Sequence, residues 1–152
     1  KEKEQTNDMK NYSLEENGAK IIHFTSQYHH ESRCSNLLNR NSGMVWFSSV
    51  TEPLPQHVIF GTPHPIDVKR LGIFLHGENN QNPRRIAFYV SDKENPAEED
   101  FVKVIERPLE HRAGDFLYRV EDMENQDKLK EVRSVKLQAL ENSGGSGIYV
   151  SK

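Results

Sequence analysis

The chain is short of several things at once. It has one cysteine, Cys34, among 152 residues, so no internal disulfide can form and stability has to come from packing, as it does in reducing compartments. No apolar run approaches the eighteen or so residues that a membrane helix needs, and the opening KEKEQTNDMK has none of the hydrophobic character of a signal peptide. No membrane association and a cytoplasmic address are the expectations. Positive charge is also in deficit, with 20 Lys and Arg against 23 Asp and Glu. A surface built to neutralise many phosphates needs the opposite balance, so nucleic acid is disfavoured as a partner. Apolar residues make up 34% of the chain, enough for one compact core and one domain.

What is present has an order. Residues 1–18 are nearly all polar or charged and offer little to offset the entropy of ordering them. They are expected to be a flexible lead-in or linker, with the domain over 19–152. From Lys20 onward come short β-branched and aromatic segments: KIIHFTS (20–26), MVWFSS (44–49), QHVIFGT (56–62), DVKRLGIFLHG (67–77), RRIAFYVS (84–91), FVKVIER (101–107), DFLYRVE (115–121), VRSVKLQAL (132–140) and GIYVS (147–151). Each is bounded by Pro, Gly, Asn or Asp.

Period-two alternation places Leu71, Ile73 and Leu75 on one face, and Val68, Arg70, Gly72, Phe74 and His76 on the other. In the same way Val135, Leu137 and Ala139 oppose Ser134, Lys136 and Gln138. SRCSNLL predicts a single helical turn, and DMENQDKLKEV a short helix. Many short strands without βαβ alternation predict an all-β antiparallel sandwich or jelly roll with one short helical turn.

The order HFTSQ, NLL, MVWFSS, QHVIF, VKRLGIFLH, IAFYVS, VRSVKLQAL and GIYVS, running over residues 20–151, resembles the discoidin or coagulation-factor C-type family, with its galactose-binding-domain-like jelly roll. The lone cysteine sets the chain apart from extracellular members, which a cysteine pair commonly clamps. It resembles more the intracellular branch found in ciliary and centrosomal proteins, in the anaphase-promoting complex and in a strand-break repair scaffold. That resemblance implies a noncatalytic module in a multi-subunit complex, at a cilium or centrosome or in a ubiquitin ligase, binding a protein partner through loops at one end of the sandwich. A carbohydrate is the alternative ligand. Calcium-binding members tend to carry an acidic turn before the tryptophan strand, and here no Asp or Glu lies between Leu37 and Trp46.

Candidate binding residues cluster in three places. HFTSQYHHESRC (23–34) holds three histidines and Cys34, but adjacent His29 and His30 point to opposite sides of an extended segment and no zinc-ligand spacing is present. No thiol chemistry is expected of Cys34 either, since nothing supplies an orienting group for a base. Tyr28, His29 and His30 therefore stand as a contact surface, or as a solvated loop. Trp46 is expected mainly in packing. HGENNQNPRR (76–85) offers Asn79, Asn80, Arg84 and Arg85, amides and guanidinium groups suited to a peptide, a sugar or a carboxylate. KENPAEED (93–100) reads as a solubilising hairpin tip. No set of acid, base and nucleophile converges, so neither an enzyme, a cofactor nor a metal is expected.

Overall fold

The computed structural model describes residues 18–25, 46–47, 55–75, 82–110, 114–142 and 148–150. Nine strands lie in these segments: β1 (Lys20–Phe24), β2 (Trp46–Phe47), β3 (Gln56–Ile66), β4 (Arg70–Leu75), β5 (Pro83–Ser91), β6 (Val102–Pro108), β7 (Gly114–Arg119), β8 (Val132–Asn142) and β9 (Tyr149–Val150). Every pairing among them is antiparallel. One sheet has five strands in the order β1-β3-β8-β5-β6, and two strand pairs, β2-β9 and β4-β7, complete the set. The all-β antiparallel sandwich expected from the alternating segments is the fold observed.

The core forms between the large sheet and the two pairs. From the large sheet it takes Val58, Ile86, Phe88, Val90, Val104, Ile105, Val135, Leu137 and Ala139, and from the opposing side Ile73, Leu75, Phe116, Ile148 and Val150. Burying such side chains contributes roughly 1.5–3 kcal/mol each before entropy is counted. Gly72 of β4 sits opposite Leu117 of β7. A Cβ there would lie 2.6 Å from the Phe116 carbonyl oxygen, so the close approach of these two strands requires glycine.

Two irregularities decide which side chains face where. In the β5-β6 ladder Phe88 pairs with Ile105 and Tyr89 with Lys103, which leaves Val104 as an extra residue. This bulge turns consecutive Val104 and Ile105 both into the core. The Val104 carbonyl is satisfied from outside the ladder by the Glu124 amide at 2.8 Å. A second bulge, in β1 at Ile22, separates the pairs Ile21–Phe60 and His23–Ile59.

The helix expected in DMENQDKLKEV is absent; two 3-10 turns, Val120–Asp122 and Gln126–Leu129, stand there instead. Asn125 between them adopts a left-handed conformation, φ 53°, which an α-helix cannot contain. The break brings both Met123 and Leu129 into the core. The helical turn expected at SRCSNLL lies outside the described residues, as do residues 1–17 of the expected lead-in.

Segment 93–100 does more than the sequence suggests. It is the exposed connection of the β5-β6 hairpin that the sequence predicts, but it also folds back against the outer side of the large sheet. The Ser134 hydroxyl donates to the Lys93 carbonyl at 2.8 Å. The Glu94 carboxylate lies 3.5 Å from Arg133 and 3.9 Å from Lys20. The face of β8 carrying Ser134, Lys136 and Gln138 is therefore largely covered: Ser134 is 0% and Lys136 8% exposed.

Candidate recognition groove

The pairing registers place the outer-face side chains in rows across the sheet. His57 of β3 pairs with Gln138 of β8, and Gln138 with Ala87 of β5. One row along, Ile59 pairs with Lys136, and Lys136 with Tyr89. The bulge in β1 lets the consecutive residues Ile22 and His23 both border the same space. Asn95, Pro96, Glu98 and Phe101 from the β5-β6 connection form the facing wall. Between them lies a groove of about 440 Å³.

Three interactions define its chemistry. His23 Nδ1 lies 2.9 Å from His57 Nε2, with the rings stacked at 5.1 Å between centroids. A hydrogen bond between two ring nitrogens requires a neutral acceptor. Burial, followed by the nearby Lys136 charge and then His23, lowers the His57 pKa to about 4, while Glu98 opposes the shift. His57 is therefore uncharged at neutral pH. Thr25 fixes this corner: its hydroxyl donates to Gln56 Oε1 and accepts from the His57 amide at 3.0 Å.

Lys136 is the second element. Its Nζ sits 4.9 Å from the Tyr89 ring centre and 5.4 Å from that of Phe101. Two ring faces offset part of the desolvation of the ammonium, each by about 0.5–2 kcal/mol. Among the described residues no carboxylate lies within salt-bridge distance of it. Third, the Tyr89 hydroxyl donates to Gln138 Oε1 at 3.1 Å, which orients the Gln138 amide with its nitrogen left over as a donor. The groove thus combines apolar walls, a largely buried lysine, a neutral imidazole at His57 paired with His23, and an amide. Among the described residues no three His, Cys, Asp or Glu side chains come together as a metal site would need.

The residues singled out in the sequence fall elsewhere. Tyr28, His29, His30, Asn79 and Asn80 lie outside the described residues; Trp46 is placed by its backbone, in β2 opposite Val150. Arg84 is exposed on β5, and its carbonyl accepts from the Leu109 amide at 2.7 Å. Arg85 donates to Glu106 Oε2 at 2.6 Å while Lys103 holds the other oxygen at 2.8 Å. These partners, Lys103 first, hold the Glu106 carboxyl below its usual range. Neither arginine lines the groove. Sequence reasoning missed His23, His57, Tyr89, Phe101, Lys136 and Gln138 as a set. A usable signal was Lys136 itself, a cation in the middle of an 11-residue, largely apolar strand, which a covering segment would bury.

Neither a protein-family model nor a curated protein matches the sequence. Solved structures do resemble it over most of its length. The family 32 carbohydrate-binding module of NanJ from C. perfringens, solved with galactose, superposes with a TM-score of 0.71 at 15% identity, over 88% of this chain and 89% of that one. Chitosan-binding module 1 of a chitosanase/glucanase from Paenibacillus sp. IK-5 gives 0.71 at 14% identity, over 93% and 95%. Reduced XRCC1, solved bound to the DNA polymerase β catalytic domain, gives 0.67 at 11% identity, over 87% and 93%. At these identities the likeness defines the fold, and that fold is the galactose-binding-like β-sandwich.

Proposed function

We propose that this chain is a noncatalytic recognition module of a larger intracellular assembly, and that the groove across β1, β3 and β8 is where it holds a partner protein. The observation that carries the reading is the largely buried Lys136, with no carboxylate of the described residues on it, beside the neutral His57 imidazole and apolar walls, a mixture suited to a polypeptide side chain within an apolar surround. The neighbour solved with a polymerase domain is consistent with such a use of this sandwich. A cytoplasmic address, at a cilium or centrosome, remains part of this reading.

A carbohydrate is the second reading, favoured by the neighbours whose own ligands are galactose or chitosan. Against it, Tyr89 and Phe101 each turn a ring face to Lys136, which removes two surfaces on which a sugar could stack.

The test is capture from native-cell lysate with wild type, Lys136→Met, His57→Ala and the off-groove control Arg84→Ala, each confirmed folded by thermal unfolding. The expected result is one set of proteins retained by wild type and Arg84→Ala and lost from both groove variants. Glycan-array binding that the groove variants abolish, with no protein lost alongside it, would establish the sugar reading instead.

A further inference from the structure

Lys136 is 8% exposed, so its stem is packed away and its ammonium sits at a largely covered site, where a compensating counter-charge or equivalent contact is favoured. The two ring faces supply part of that compensation and no carboxylate of the described residues supplies the rest. Four further facts narrow what would complete it. Lys136 and Gln138 share the outer face of β8, two residues apart, so an ammonium and an amide N–H donor serve the same part of the groove. His57 is neutral and adds no second positive charge. Glu98, exposed at the facing wall, sets a negative charge against any incoming anion. Ile22 and Ile59 line the approach with apolar surface.

We infer that the groove is a subsite for one carboxylate, that of a Glu or Asp side chain within an extended segment of the partner protein, seated on Lys136 and Gln138 with its methylene stem along Ile22 and Ile59. The inference rests on the groove being the partner-binding surface. A single cation facing Glu98 matches a monoanion; a phosphate near neutral pH carries closer to two charges and would meet the same Glu98 with nothing to balance the second. The apolar stem is what separates such a residue from free acetate, because each methylene placed against the isoleucines adds affinity that acetate lacks.

The test uses the whole chain, isotope-labelled, and follows the ring resonances of Tyr89 and Phe101 and the imidazoles of His23 and His57 by NMR. The probes are N-acetyl-glutamate methylamide, its glutamine isostere, N-acetylglycine as a terminal carboxylate, and inorganic phosphate. The expected result is a saturable shift with the glutamate probe, about tenfold weaker or absent with the glutamine isostere, and weaker than the glutamate response with N-acetylglycine and with phosphate. Lys136→Met should abolish the response and Lys136→Arg retain it, which separates loss of charge from loss of fold. Equal response to glutamate and glutamine, or an undiminished response in folded Lys136→Met, overturns the proposal. Preference for N-acetylglycine or phosphate overturns the side-chain assignment. If the probes fail while the groove variants still lose the captured partner, the carboxylate subsite is wrong and the recognition groove stands. If the variants keep the partner, the recognition groove itself is wrong.

Discussion

His57 shows how one residue can tie the groove to the stability of the fold. Its pKa is about 4 in the folded chain, against an ordinary histidine value of 6.5. Below pH 6.5 the unfolded chain takes up a proton that the folded chain refuses until about pH 4. The stability this neutral imidazole permits is thus complete above pH 6.5, declines as pH falls towards 4, and falls no further below that. Because the ring is only half-buried, solvent screening reduces the effect to about 1 kcal/mol. His57→Gln should therefore unfold with a shallower dependence on pH between 6.5 and 4 than wild type, in urea titrations at a series of pH values. Parallel slopes for the two proteins would remove the histidine from this role.

At the scale of elements, the segment between β5 and β6 decides the character of the outer sheet face. It is anchored by Ser91, whose hydroxyl accepts from the Lys93 amide at 3.1 Å, and by Ser134, which donates to the Lys93 carbonyl. It is closed by the 3-10 turn Glu98–Asp100, where Asp100 accepts from the Ala97 amide at 2.9 Å. Ser134→Ala takes that donor from the part-buried Lys93 carbonyl and is expected to cost about 1 kcal/mol. The same change should open the segment to limited proteolysis at residues 93–100 faster than at any other described connection. Cleavage at an unchanged rate would mean that the hydroxyl does not hold the segment down.

The same element explains what could and could not be read in advance. Alternation in VRSVKLQAL assigned Val135, Leu137 and Ala139 to the core face, because period two is a property of the strand itself. That the opposite face is also covered depends on a segment some forty residues away, and KENPAEED carries no periodicity that points to it. Likewise Val104 and Ile105 cannot both face inward in a regular strand, and the bulge that allows it is set by the β5-β6 register. His23 and His57 meet only because β1 pairs with β3 across 34 positions of sequence. Strand identities were thus local and legible, whereas the groove is a product of register and of a long-range fold-back.

For the whole molecule the governing fact is the position of β8. It is the central strand of the large sheet, flanked by β3 and β5, so pairings to distant segments dominate the topology. Contacts of that kind form slowly, and refolding on the order of milliseconds to seconds is expected for an all-β domain of this type. Leu137→Ala, at a side chain 4% exposed in the centre of β8, should cost about 2–5 kcal/mol. Stopped-flow measurements are expected to show slower refolding for it, whereas Val104→Ala in edge strand β6 should act mainly by speeding unfolding. The opposite partition would mean that the sheet assembles from its β6 edge.

The central place of a late strand has a consequence on the ribosome. While the chain emerges, β3 and β5 are already outside the exit tunnel but have nothing between them, each with a bare ladder edge and an apolar face. Those naked edges persist until β8 has itself cleared the tunnel, and for that interval the nascent chain is a natural client for chaperones that shield unpaired β-strands.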